Sequence, residues 1–393
     1  KTAPSMNRLI IFFAFNFFHT SYLSAQKLAD QASMENMEMS SKSDKTVYPV
    51  TGKVRTYYIA ADEVIWDYTP GDIDGMTGKP FSGNALFFTQ HDSIHIGTKF
   101  LKALYREYTD STFTKLKPRS EDQRYLGLLG PIIRAEVGDI IHVVFRNNAT
   151  IPYSMHPHGV LYEKPSEGAV YNDSLSKIQN DGSEVAPHHT FTYVWEVPER
   201  AGPGPGDPNS VVWLYHSHVN EPKDLMAGLI GAIIISAKGT LKPDLTPKGV
   251  DREFVTLFCI FNENNSWYLD RNIDKYCSHI DSVRKNVDTV GFQNLKFSIN
   301  GFIYSTMPMM TMKKGDHVRW YLLSMGDLFN FHTPHWHGNT VIYNGKRCDV
   351  ISILPAQSLV ADMIPDDPGM WMFHCHIDDH MASGMMAMYE VLP

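Results

Sequence analysis

Between residues 371 and 388 the chain reads WMFHCHIDDHMASGMMAM. Three histidines, one cysteine and several methionines stand together there, and all are side chains that bind metals. Cys375 is followed by His380 at +5 and Met385 at +10, and His332 lies upstream. Two imidazoles, a thiolate and a weak axial thioether are the ligand set of a blue-copper electron-transfer site. Sulfur favours Cu(I) and imidazole also holds Cu(II), so this set suits one-electron traffic. Zinc takes Cys and His too, but it has no need of Met385 and leaves the other paired histidines unexplained. His376 and His380 could share the face of a helix. Gly384 and the strand-like runs on either side argue against one.

Eight histidines fall into four His-x-His pairs: His156/His158, His216/His218, His335/His337 and His374/His376. In an extended segment alternate side chains share a face, so each pair should present both rings together. Eight imidazoles suffice for one type 2 copper and a type 3 copper pair. His374 and His376 are bonded to Cys375, which gives electrons a short covalent route from one centre to the other. The arrangement fits a stoichiometric need. A donor supplies one electron at a time, O2 takes four to become water, and one entry copper plus three others hold four. Any single pair could be an ordinary surface or turn feature, but four together are hard to explain that way.

The elements that must position these residues read as strands. YYIAADEVIW, IIRAEVGDIIHVVFRN, HTFTYVWEV and LIGAIIIS precede residue 237; DREFVTLFCIFN, KFSINGFIY, DHVRWYLLS, SLVADMIP, GMWMFHCH and GMMAMYEVLP follow it. Gly, Pro and Asp turns separate them, and convincing amphipathic helices are scarce. The class is all-β, most simply two sandwich or barrel domains. The two halves repeat: WLYHSH (213–218) matches WMFHCH, and HPHG (156–159) matches HWHG (335–338), each His-x-His-Gly following a Gly-Asp turn at a similar distance. The first copy is incomplete. Ser217 stands for Cys375, no histidine stands near the place of His380, and Leu229 falls near that of Met385. One blue site per chain is expected. The domain reading is 51–240 and 251–393, joined by a linker at 241–250.

A chain of 393 residues with 43% hydrophobic and 20% charged content has room for two cores. A formal net charge of -8 without a basic run gives no electrostatic case for nucleic acid. Met6, Arg8 and LIIFFAFNFF resemble a secretory signal ending near Ser24-Ala25-Gln26, so residues 1–25 are read as an N-terminal extension and signal peptide. Residues 26–50, with MENMEM, are read as a flexible leader. No membrane span is expected in the mature protein, which should be secreted or periplasmic. Four cysteines do not make a disulfide scaffold, and no pairing follows from the sequence. Sequons stand at Asn148, Asn172 and Asn264.

HTPHWHG (332–338), HCHIDDHMASGM (374–385), MHPHG (155–159) and YHSH (215–218) resemble the four copper motifs of the multicopper oxidases. Within that family, YYIAADEVIWDY, YLGLLGPIIRAEVGD, FNENNSWYLDRNI and INGFIY are most similar to the ceruloplasmin and hephaestin type, over nearly all of residues 54–393. The resemblance implies two cupredoxin-like (plastocyanin-like) Greek-key domains, the second holding type 1 copper. It also implies four coppers per chain-equivalent. His156 and His335 would bind type 2 copper, and His158, His216, His218, His337, His374 and His376 the type 3 pair. Type 1 copper would take His332, Cys375, His380 and Met385. Two-domain members of the family form homotrimers with clusters between chains, so assembly would be needed to gather all eight histidines.

For the electron donor, three classes compete beside O2. The resemblance to iron-oxidising members puts one acid at Asp379, but Phe292 and Phe297 fall where further iron ligands would stand, a loss that Asp378 would offset in part. Apolar residues suit a phenol or aromatic amine, which makes a laccase-like activity the preferred expectation. Fe(II) and Cu(I) are the alternatives, the latter for MPMMTM (307–312), Met381, Met386 and the MENMEM of the leader. Asp349 matches a family acid and is the candidate proton source. A copper nitrite reductase and a plain copper carrier are weaker readings: the first keeps its blue site in the first domain, and the second needs no eight-histidine set.

Overall fold

The computed structural model describes residues 52–171, 182–285 and 291–393. The expected signal peptide and leader, and the sequon at Asn172, lie outside the described residues. The first part contains β1 (Val54–Asp67), β2 (Ile73–Asp74), β3 (Lys79–Pro80), β4 (Lys99–Tyr108), β5 (Ile133–Glu136), β6 (Ile140–Asn147), β7 (His156–Pro157), β8 (Leu161–Tyr162), β9 (Thr190–Glu196), β10 (Ser210–His216) and β11 (Ile230–Ser236), with short helices α1 (Gly83–Thr89) and α2 (Glu221–Ala227). The second contains β12 (Arg252–Asn262), β13 (Leu295–Ile299), β14 (Met310–Lys313), β15 (Val318–Ser324), β16 (Pro334–Trp336), β17 (Val341–Tyr343), β18 (Lys346–Cys348), β19 (Ser358–Met363), β20 (Gly369–Cys375) and β21 (Met386–Leu392), with α3 (Leu269–Tyr276), α4 (Ile280–Lys285) and α5 (Asp378–Ala382).

One topology occurs twice. Sheets ordered β4-β1-β6-β9-β8 and β5-β11-β10-β7 are matched by β13-β12-β15-β19-β17-β18 and β14-β21-β20-β16. Each sheet is mixed: β1 runs parallel to β6 and β12 to β15, while β5 runs parallel to β11 and β14 to β21. These are curled cupredoxin-like sheets. Residue pattern explains the strands. In β6, Ile141, Val143, Phe145 and Asn147 point inward and alternate with half-buried residues, whereas β11 is buried along its whole length. Behind Cys375, Trp320, Trp336, Phe373 and Tyr389 pack ring on ring, with Trp320 and Phe373 centroids 4.9 Å apart. That rigid core fixes the end of β20.

The sheet β5-β11-β10-β7 packs its outer face against the second part. Val212, Leu214, Ile230, Ala232 and Ile234 are buried there. Ser210 and Tyr321 share a hydrogen bond of 2.7 Å, Ser358 Oγ donates to the Val212 carbonyl at 2.7 Å, and Arg319 reaches Ser210 at 2.7 Å. The corresponding outer face of β20 and β21 is open, with Met370 61% exposed. Every run named above as a strand contains one. One detail differs from expectation. A single helical turn, α5, does form beside the cysteine and includes His380 but not His376. Its five residues are too few for periodicity to reveal. All four cysteines are free. No helix among the described residues is long and apolar enough to cross a membrane.

Candidate metal centres

Cys375 ends β20, His332 lies just before β16, His380 sits in α5, and Met385 immediately precedes β21. All four side chains are buried. Cys375 Sγ lies 3.9 Å from His332 Nδ1 and 3.7 Å from His380 Nδ1, and the two Nδ1 atoms are 3.2 Å apart. With metal–nitrogen bonds near ~2.0 Å and metal–sulfur near ~2.3 Å, a trigonal centre separates its ligand atoms by about 3.5 Å. The three donors thus already stand where one ion would need them. His332 Nε2 lies 3.4 Å from Asn330 Oδ1, which can only accept, so Nε2 carries the proton and Nδ1 keeps a free lone pair. The Thr333 N–H donates to Cys375 Sγ at 3.4 Å.

Burial sets the protonation states. It pushes the His332 imidazole down to about 3, helped by the neighbouring His380. Burial also lowers His380, partly offset by the Asp379 charge. Both rings are neutral at neutral pH, the form that binds metal. Burial raises the Cys375 thiol, so an arriving ion must displace its proton.

The eight paired histidines gather into two groups of four. In the first, His156 faces His158, His216 and His218 with ring centroids 5.5, 5.5 and 5.2 Å away. In the second, His335 faces His337, His374 and His376 at 4.8, 5.2 and 5.1 Å. Strand register explains this: His216 pairs with His156 across β10 and β7, and His374 with His335 across β20 and β16. The His158 and His216 Nε2 atoms are 3.1 Å apart, and those of His337 and His374 3.0 Å.

Backbone carbonyls aim the rings. His156, His216, His335 and His374 donate from Nδ1 to the carbonyls of Glu167, Ser217, Asp349 and Cys375, at 2.7, 3.0, 3.0 and 2.8 Å. Each therefore offers Nε2 to a metal, with the outer hydrogen bond fixing the tautomer. Burial lowers His158 and His374 to about 4 and His216 to about 3, and it also lowers His156 and His337. Among the described residues, no ring contact joins a histidine of one group to the other. The groups are two halves within a single chain.

The expected acids sit at the edges. Asp378 and Asp379 are exposed at the start of α5. Asp349 holds His335 through its backbone carbonyl, and its carboxylate lies 3.9 Å from that ring and faces solvent. Phe297 is buried with its ring 5.4 Å from His380, Phe331 lies 6.1 Å away at the surface, and Phe292 is exposed. Neither Phe292 nor Phe297 offers a metal ligand. Asn330, Thr333 and the Glu167 carbonyl also shape the site without standing among the residues expected from sequence. Asn330 also accepts the Ile260 N–H at 2.7 Å, a contact 70 residues away in sequence that no local pattern signals.

Two family models, both described as multicopper oxidase, match residues 126–240 and 278–393. Ferroxidase HEPHL1 of Mus musculus is 42% identical over 340 residues, covering 86% of this chain and 29% of that protein. Ceruloplasmin of Homo sapiens is 40% identical over 370 residues, 92% of this chain and 34% of that protein. The chain spans about a third of the length of the curated relatives it matches. A solved structure titled as a multicopper oxidase superposes with TM-score 0.55 at 20% identity, covering 86% of this chain and 89% of the other. A copper nitrite reductase from Nitrosomonas europaea gives 0.53 at 16%, covering 86% and 93%. Those two likenesses concern the fold alone.

Proposed function

Since this chain belongs to the multicopper oxidases and is related to the ceruloplasmin and hephaestin type, we propose that it oxidises a metal ion at the Cys375 centre and reduces O2 at the paired histidines. The observation that carries this reading is the convergence of His332, Cys375 and His380, with His374 in the peptide that also ends in the thiolate. Copper, when bound, would supply one-electron transfer at the first centre and four-electron reduction of O2 to water at the second. Twelve residues would hold it: His332, Cys375, His380 and Met385 at the entry centre, with the eight paired histidines at the cluster. Type 2 copper would fall to His156 and His335, and the type 3 pair to the remaining six. The solvent-facing Asp349 carboxylate near His335 would supply protons.

The donor preference shifts from the phenol expected from sequence towards a metal ion. Relatives at about 40% identity carry the ferroxidase and ceruloplasmin names. Asp378 and Asp379, exposed beside His380, are the groups that would attract Fe(II) or Cu(I) to the entry centre. An aromatic donor stands as the second reading, favoured by Phe331 at the surface over His380.

Two cupredoxin domains, 51–240 and 251–393, and export from the cell complete the reading. The internal seam supports a ring of copies. The His216-bearing face of the first half is covered by the second half, while the matching His374-bearing face is open. A neighbouring chain seated on that face would cover it, and a contact of this kind, distinct from the internal one, is where the two histidine groups would meet. A homotrimer is the assembly proposed, since heterologous contacts that close give rings.

The test is steady-state O2 consumption by the copper-loaded protein with Fe(II), Cu(I) and a substituted phenol side by side. Turnover with a metal ion above the phenol supports the reading. The reverse order replaces the donor, and no turnover with any of the three removes the oxidase assignment.

A further inference from the structure

On the open face of β20 and β21, alternate residues point outward with His374: Met370 and Met372 on one strand, Met386 and Met388 on the other. Met372 pairs directly with Met388, and Met386 pairs directly with His374. Directly opposed residues have Cβ atoms about 5 Å apart, within the span of two thioethers on one ion. Met309, on the approach to β14, is 40% exposed.

The repeat shows that hydrocarbon would serve as cover. Matching on His216 and His374, the four positions hold Val212, Leu214, Ile230 and Ala232 in the first half, all at most 3% exposed. In the second half each of the four is methionine. Outward positions of a half-open sheet are ordinarily polar, and buried ones aliphatic. What methionine adds to either is a soft sulfur donor, which selects Cu(I).

We propose that Met372, Met386 and Met388, with Met370 at the rim, form a Cu(I)-binding site continuous with His374, through which the histidine cluster is loaded before a neighbouring chain covers the face. The ion keeps its charge throughout: thioether ligands are exchanged for His374 Nε2, and no electron moves. The role of His374 as a copper ligand rests on the oxidase reading; thioether binding of Cu(I) does not.

The test uses the full chain, copper-free and anaerobic, with Cys375→Ser, Met385→Leu, Met34→Leu, Met37→Leu and Met39→Leu to silence the sulfur of the entry centre and leader. Cu(I) alone is added against a chromophoric Cu(I) chelator, and its neighbours are read by X-ray absorption. The expected result is a first Cu(I) with sulfur neighbours. Adding Met370→Leu, Met372→Leu, Met386→Leu and Met388→Leu, which conserves volume, should remove those neighbours and weaken uptake at least tenfold. Should that chain not fold, judged by circular dichroism, Met372→Leu with Met388→Leu should give a smaller loss in the same direction. Cu(I) with only nitrogen neighbours in the first chain, or unchanged sulfur neighbours and affinity in the leucine chain, overturns the proposal and leaves the methionines as adaptable cover. Because no turnover is measured, an inactive protein that still binds Cu(I) through sulfur would sink the oxidase reading alone.

Discussion

The two halves carry the same pocket at the end of the same strand and fill it differently. In the second half the pocket holds His332, Cys375, His380 and Met385. In the first, Tyr153, Ser217 and Leu229 occupy matching places. Backbone hydrogen bonds survive in both, among them Thr333 N–H to Cys375 Sγ at 3.4 Å and Ser154 N–H to Ser217 Oγ at 3.1 Å. Ser217 donates to buried Asp224 at 2.7 Å, which also accepts from the Val219 and Asn220 N–H groups and from Trp267 Nε1. A hydrogen-bonded carboxylate fills the place of a metal centre. The outward histidines persist in both halves. On the proposed reading, electron entry and cluster formation would be separable properties of one fold, combined in the second half alone.

The largest expected effect comes from making the second half like the first. Cys375→Ser should abolish the intense visible thiolate-to-copper band and reduce O2 consumption to background. A retained band would place the blue centre elsewhere. The converse change strikes the half without an entry centre. His216→Gln should leave the visible band in place while removing O2 reduction, as read by absorbance and an oxygen electrode on the same sample. Loss of the band in that variant would mean that the two centres do not form independently.

Most of this contrast was legible in the chain itself, because it is written in short-range spacing. His-x-His in a strand places two rings on one face whatever the fold around it, and the Ser217 for Cys375 exchange is visible on aligning WLYHSH with WMFHCH. The strand runs were legible for the same reason. The missing parts depend on chain segments far apart in sequence. The hold of Asn330 on His332 needs β12, the locking of Asp224 needs Trp267, and the division of eight histidines into two groups depends on which faces pack. The sequence marks Met386 as a soft donor but gives no such signal for Met370, Met372 or Met388. Their alignment with His374 appeared only in the β20–β21 register.

The seam between the halves tests the idea that one His-bearing face is covered within the chain. Arg319 binds Asp362 through two bonds, at 2.7 and 2.9 Å, and holds Ser210 of the first half at the same time. Asp362→Asn should cost about 2 kcal/mol, below the ~3–5 of a fully buried pair because Asp362 keeps some contact with water. The pH dependence has a definite sign. Burial pushes the Asp362 carboxyl up, but Arg319 and His317 together hold it below its ordinary value. The pair therefore stabilises the fold above the usual carboxylate range and loses that effect as pH falls through the lowered value. Thermal melts of the two proteins should converge in acid. A gap that persists there would assign the effect to packing.

The smallest change tests how the second pocket is held open for a metal where the first is closed. Asn330 Oδ1 accepts the Ile260 N–H and faces His332 Nε2, while its amide donates to Asp327 at 3.1 Å. The side chain is thus tied to β12 and to its own loop, and its oxygen selects the tautomer that leaves His332 Nδ1 free. Asn330→Ala removes that selection without touching a ligand. Outer hydrogen bonds of this kind are worth about 10–100-fold in metal affinity. Copper affinity at the entry centre should fall within that range, with the visible band shifted but present and the histidine groups unaffected. The first half has no counterpart to lose, since Tyr153 there is tied to Tyr268 at 3.1 Å and offers no imidazole to orient. An unchanged affinity in Asn330→Ala would mean that packing against Phe258, whose ring lies 6.0 Å from His332, suffices to hold the ring. The difference between the pockets would then reside in the ligands alone.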